Sequence, residues 1–209
     1  MTRGRLLTAA LGIGVFACSS LHAAIITVTT APPALDVAIG APLFPVPDDG
    51  MPVGTVYGSG GGIPLPTPIG LMDFLPDHDK IAPGVYHALP LPGPIAGSDV
   101  VPPAGATAID FLIEAEPGAP SIMFEITAVG TSTASAPAIV TAAPGAPAYV
   151  GFGATGETLL TVSIVRLPFP SPGVLTWSVG DIRVLPEPTS LALLAMGGLM
   201  LQRRRRSRV

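Results

Sequence analysis

Period-two alternation dominates the second half of the chain. In Ile109-Asp110-Phe111-Leu112-Ile113-Glu114-Ala115-Glu116 the odd positions are apolar and the even ones mostly acidic. That pattern predicts an antiparallel strand with one wet face. Pro117-Gly118-Ala119-Pro120 supplies a turn, and Ser121 to Thr127 alternates again with Ile122, Phe124 and Ile126 pointing inward. Ala138–Ala142, Ala148–Phe152, Leu159–Arg166, Val174–Val179 and Ile182–Leu185 continue the series. Turn signals recur every eight to twelve residues or so, the spacing of a β-sandwich. No part of the body carries a sustained 3.6-residue apolar stripe. The expected fold is therefore all-β, an antiparallel sandwich.

The first half is less regular. Ile25–Thr30 and Leu35–Ile39 are short, apolar and partly β-branched, with Pro32-Pro33 between them, and read as an opening pair of strands. Residues 42–103 are dense in Gly and Pro, including Gly58-Ser59-Gly60-Gly61-Gly62. Such punctuation predicts a loop-dominated segment with short strands near Val53–Tyr57 and Gly84–Leu89. The glycine run lacks G-x-G-x-x-G or P-loop spacing and reads as a flexible turn.

Both ends depart from the alternation. Arg3 and Arg5, an apolar run Leu6–Cys18 and the small-residue end Ser19-Ser20-Leu21-His22-Ala23 form the pattern of a secretory signal peptide, cleaved after Ala23 or after Ala24. Cys18 would be the lipid attachment point of a lipoprotein, but the bulky Phe16 two residues earlier argues against that. At the other end stand Pro186-Glu187-Pro188-Thr189-Ser190 and then Leu191-Ala192-Leu193-Leu194-Ala195-Met196-Gly197-Gly198-Leu199-Met200-Leu201. Arg203-Arg204-Arg205-Arg206 and Arg208 follow. The prolines stop the preceding fold, the Leu/Ala/Met run favours helix, and the arginines hold their end on the cytoplasmic side of a bilayer. A helix from Pro188 to Gln202 would be only ~22 Å long, against a hydrocarbon core of ~30 Å. That mismatch suits a transient, processed segment better than a permanent span.

This order of parts resembles the PEP-CTERM sorting signal of Gram-negative bacteria. Pro186, Glu187 and Pro188 match the motif, Thr189-Ser190-Leu191 continue it, and Arg203–Arg206 match its basic end. The resemblance covers roughly a tenth of the chain and implies a destination rather than an activity. It implies export, transient anchoring in the inner membrane by the tail, and processing by an exosortase after signal peptidase has removed the leader. The mature chain is then expected at the cell surface or outside the cell, and association with exopolysaccharide is typical of the family. On this reading the chain divides into residues 1–23 (signal peptide), 24–185 (exported body) and 186–209 (sorting signal). A softer resemblance joins it: Tyr149–Gly153, Leu160–Ile164 and Trp177–Val184 look like the closing strands of jelly-roll domains that precede such tails, with Asp181 at the acid they commonly carry.

Composition narrows the chemistry. The only cysteine, Cys18, lies in the leader, so the mature body has no disulfide and rests on its core. Between Ala24 and Leu185 three basic residues (Lys80, Arg166, Arg183) face thirteen acids, a net of −10. Such a body repels phosphate backbones, which argues against nucleic acid as a partner, and attracts divalent cations.

No Gly-x-Ser-x-Gly elbow occurs, and His78 and His87 are the only histidines of the body; both read as exposed loop residues. Asp77-His78-Asp79, with Asp73 and Asp48-Asp49 nearby, suggests an acidic loop, with Asp77 and Asp79 as weak candidates for calcium. Asp110 and Glu114 share one strand face, and Glu125 is expected on the adjacent strand. Carboxylates paired across a sheet would suit a glycosidase, although solvated faces produce the same pattern. Tyr57, Tyr86, Tyr149 and Trp177 are candidates for sugar stacking, with Trp177 better assigned to the core. The expectation is a non-catalytic structural or binding protein without a cofactor. The alternatives are a secreted carbohydrate-active enzyme and a calcium-dependent glycan-binding module.

Overall fold

A computed structural model describes residues 23–88, 97–167 and 176–187. Its fourteen strands and one helix run in the order β1 (Ala24–Val28), α1 (Pro32–Ile39), β2 (Phe44–Pro45), β3 (Val56–Tyr57), β4 (Leu65–Thr67), β5 (Gly70–Leu75), β6 (His78–Ala82) and β7 (Val85–Ala88). Then come β8 (Gly97–Val101), β9 (Ala106–Ala115), β10 (Ile122–Gly130), β11 (Ala138–Ala142), β12 (Ala148–Thr155), β13 (Leu159–Leu167) and β14 (Trp177–Pro186). All the strand ladders are antiparallel. The all-β expectation holds.

The strands form two sheets. The larger has the order β1-β12-β9-β14-β7-β6-β3, with β2 also paired to β14; the smaller runs β11-β10-β13-β8-β5-β4. From β7 onward the pairing is nested: β7 with β14, β8 with β13, β9 with β12 and β10 with β11. The last eight strands are thus one long hairpin folded over so that alternate pairs enter alternate sheets.

Inward residues of both sheets share one core. Ile109, Phe111, Ile113 and Ala115 of β9 meet Ile122, Phe124, Ile126 and Ala128 of β10, all buried as the period-two pattern requires. An aromatic chain links the sheets. Phe124 packs edge-on to Trp177 at 5.4 Å, Trp177 meets His78 at 5.8 Å, and His78 stacks on Phe74 at 4.4 Å. Trp177 belongs to the core, as expected.

One local expectation is corrected. Leu35–Ile39 is not a strand but the second half of α1. Pro32 and Pro33 occupy the first helical positions, where a missing N–H costs nothing, and Gly40 ends the helix at φ 71°. Leu35 and Ile39, one turn apart, lie on the outer face of the larger sheet in a second cluster with Leu43, Ala108 and Leu185. In residues 42–88 the short strands β2 to β7 alternate with loops, and β3 and β7 fall within the expected Val53–Tyr57 and Gly84–Leu89. Prolines fit because they sit where no ladder donor is needed: Pro66 lies in β4, an edge strand. The glycine run is a wrapped turn around one carboxylate. Gly60 N–H donates to Asp77 Oδ1 at 2.7 Å, and a Cβ on Gly58 would lie 2.3 Å from that oxygen.

Candidate functional site

The outer face of the larger sheet can be followed in rows of cross-strand neighbours. One row is Asp79–His87–Ser178–Glu114, the next Val85–Gly180–Leu112–Tyr149, and the next Pro45–Arg183–Asp110–Gly151–Val28. Glycines keep the middle of this face low. A Cβ on Gly151 would lie 2.9 Å from Leu35 Cδ2, and one on Gly153 would lie 2.6 Å from Ile39 Cγ2. Their absence lets α1 rest directly on the sheet.

That helix buries a polar cluster. Asp110 is fully buried, so this acid of β9 does not face water as its alternation suggested. Arg183 Nε donates to Asp110 Oδ1 at 3.0 Å, and Nη2 donates to Oδ2. Nη1 reaches Asp36 Oδ2 at 3.0 Å, and Nη2 also donates to Pro32 O at 2.7 Å. Tyr149 adds a hydroxyl donor to Asp110 Oδ2 at 2.8 Å. Burial pushes the Asp110 carboxyl above the usual aspartate value, against the pull of Arg183 and Tyr149. Its hydrogen bonds raise the guanidinium in turn, those to Asp110 first. The cluster ties α1 to β9 and β14, and its opposing effects are those of a buried ion pair.

Beside it the sheet opens. Between Gly180 and Arg183 the register of β14 against β9 shifts, and Asp181 in the bulge has φ 49°, the sole positive φ at a non-glycine among the described residues. Upstream of this point β14 pairs with β7, and downstream with β2. A cavity of about 340 Å³ lies here, lined by residues of the bulge and by Pro32, Pro45, Val46, Gly84, Tyr86, Phe111, Leu112, Tyr149 and Arg183. The volume falls at the lower end of the ~300–1,000 Å³ usual for small-molecule sites. Tyr86 is 1 % exposed, and its hydroxyl has no hydrogen-bond partner among the described residues. Burial is the first cause that pushes its pKa up to about 12.

Lys80, on the core side of β6, is buried and held by Asp48 and Asp49, with Met51 O at 2.9 Å. Tyr57 donates to Asp49 as well. Burial opposes the charge on Asp49, but bonds from Tyr57, Lys80 and Met51 N–H outweigh it and hold the carboxyl below its usual value. Glu157 plays a similar part elsewhere, accepting bonds from the backbone and side chains of Ser132 and Thr133.

The sequence candidates are distributed rather than convergent. His78 and His87 are strand residues, not loop residues, because β6 and β7 form a hairpin there. His78 is buried, its Nδ1 2.9 Å from Pro76 O, and burial lowers its pKa to about 4. His87 Nδ1 lies 2.9 Å from Asp79 Oδ1; its Nε2 is as near to Glu116 Oε1 but off the line of a hydrogen bond. Asp77 is occupied by Gly60 and Asp79 by His87, and no group of three His, Cys, Asp or Glu suited to one cation occurs among the described residues. Asp110 and Glu114 do share a face of β9, and Glu114 accepts from Gly145 N–H at 2.6 Å. Glu125 is not on the adjacent strand: the turn after β9 crosses to the other sheet, where β10 pairs with β11 and β13. Tyr57, Tyr86 and Tyr149 are buried rather than displayed.

Of the sorting residues, Pro186 and Glu187 are described. Pro186 ends β14 opposite Ala106, and Glu187 N–H donates to Gly105 O at 2.9 Å. Ala23 precedes β1 and Ala24 begins it, paired with Thr155. Pro188, the apolar run Leu191–Leu201, Arg203–Arg206 and the leader up to His22 lie outside the described residues. Among the described residues no helix is long and apolar enough to cross a membrane. Compared with protein-family models, curated proteins and solved structures, the chain matches none.

Proposed function

We propose that the chain is an exported protein of the cell surface or extracellular matrix, a structural or binding β-sandwich of jelly-roll type, sorted by its C-terminal tail. The carrying observation is the order Pro186-Glu187-Pro188, apolar run, four arginines. In this mechanism the tripeptide is presented outside the inner membrane, Leu191–Leu201 inserts, and Arg203–Arg206 set the orientation. An exosortase then processes the tail, and signal peptidase removes the leader. The nested pairing of the last eight strands across two sheets supports the jelly-roll reading. That β14 runs straight into the motif supports a body held close to the membrane.

The experiment is the intact mass of the protein recovered from its cells. A mass lacking both the leader and the residues beyond the Pro-Glu-Pro motif agrees with the proposal. A full-length mass in the cytosolic fraction overturns it.

A further inference from the structure

We infer that Lys80 and Asp48 join in an intramolecular isopeptide bond, with the neighbouring Asp49 carrying the proton that the reaction moves. The bond does not depend on the sorting reading and would form wherever the protein folds.

Lys80 is the sole lysine of the chain, and it is 1 % exposed, a rare place for this side chain. Its Nζ touches Asp48 Oδ1, lies 2.9 Å from Asp49 Oδ1 and donates to Met51 O at 2.9 Å. The loop that carries both acids is pinned to the same residue through the backbone. Lys80 N–H donates to Thr55 O at 2.9 Å, and Gly54 N–H donates to Lys80 O at 2.7 Å. Two buried tyrosines stand beside the group: Tyr57 donates to Asp49, and Tyr86 is the cross-strand neighbour of Lys80 on β7. An Nζ in direct contact with Oδ1 is about 3–3.5 Å from Cγ, the separation of a near-attack geometry. Held so, an amine and a carboxyl react as if at very high concentration.

The two acids are not equivalent. Asp49 accepts from Lys80, Met51 N–H and Tyr57, three donors that favour its charged form. Asp48 accepts from Lys80 alone among the described residues, and its side chain is 42 % exposed, which gives a released water an exit. Asp48 is thus the electrophile and Asp49 the base. Its bonds to Asp48 and Asp49 keep Lys80 an ammonium at rest. One proton passes from Nζ to Asp48, and the neutral amine attacks Cγ. Asp49 takes a second proton from the nitrogen and gives it to the departing hydroxyl. The Nζ–Cγ bond forms, a Cγ–O bond breaks and one water leaves; nothing is oxidised or reduced. A buried ion pair contributes little net stability, whereas the amide removes both charges from the interior. It also ties together residues 32 positions apart, which restricts the unfolded chain.

The test denatures the full-length chain, methylates every amine and maps the peptides by mass. The chain should weigh one water less than its sequence, react only at its α-amine, and yield a joined peptide containing Asp48 and Lys80. Cleavage at either end removes whole residues and cannot imitate this. Asp48→Ala should leave the lysine reactive, and Asp48→Asn should still close, releasing ammonia instead of water. Asp49→Asn, checked for native circular dichroism, should close at least tenfold more slowly after cell-free synthesis. A folded wild-type chain of full mass with a reactive Lys80 overturns the inference, as does a link to Asp49 or unchanged closure in Asp49→Asn. So does a lost water with Lys80 still reactive, which would mark a succinimide at Asp49-Gly50.

Discussion

Arg183 and Asp110 stand opposite each other in the register of β14 and β9, 73 residues apart in sequence, and join through two hydrogen bonds beneath α1. The pair carries the outer face of the larger sheet, and removing one member should hurt more than removing both. Asp110→Ala is expected to lower stability by roughly 3 kcal/mol, the low end for breaking a buried pair because about a fifth of the Arg183 side chain is exposed. The double change Asp110→Leu with Arg183→Met should recover most of that loss. Urea unfolding of the single and double variants measures it, and strict additivity would contradict the pairing.

His78 predicts a pH dependence. Its folded pKa is lowered to about 4 from 6.5 by burial, so between those values the unfolded chain binds the extra proton. Stability contributed by the neutral ring is complete above about pH 6.5 and falls with pH down to about 4, by about 3 kcal/mol in all. Replacing His78 by Phe should flatten the stability profile across that window, while carboxylates held low by hydrogen bonds, such as Asp49, act below it. An unchanged slope in the variant would sink the assignment.

Gly151 should not tolerate a side chain. A Cβ there would lie 2.7 Å from Tyr149 Oη and 3.0 Å from Asp110 Cβ, besides its clash with Leu35. Gly151→Ala is expected to cost about 1–3 kcal/mol as an overpacking change. Limited proteolysis near α1 should quicken in parallel, since the helix is the element displaced.

The boundary between body and tail is also testable. Leu185 is buried in the cluster under α1, and Pro186 and Glu187 close the strand against Ala106 and Gly105. A chain ending at Glu187 should melt like the full chain. One ending at Val184 should lose at least about 2 kcal/mol, the burial of one leucine. Equal melting of the two would move the boundary inward.

Neutralising Arg203–Arg206 tests the sorting mechanism itself. The substituted protein should leave the membrane fraction or insert the wrong way round, because no basic cluster would then fix the tail. Wild-type retention after fractionation would argue against the role given to these arginines.

Much of the core was legible from alternation, because β9 and β10 obey a period of two and bury the residues it selects. The helix is not, since eight residues beginning with two prolines offer little periodicity, and its one sequence cue is the Pro-first, Gly-last signature. Asp110 looked like a wet-face acid because nothing local announces a partner on β14. The sheet of Glu125 is hidden for a related reason: a turn in the sequence does not say whether the chain stays in its sheet. The cavity needed two facts that alternation cannot supply, namely the β14 bulge and the changeover from β7 to β2.

The nested strand order has one consequence for timing. β14 arrives last yet lies between β7 and β9, which are joined only through it. A chain threaded amino-end first through a translocation channel would therefore keep both edges bare until residue 186 had cleared the pore. Closure of the larger sheet would then be a late, single event, completed beside the channel mouth.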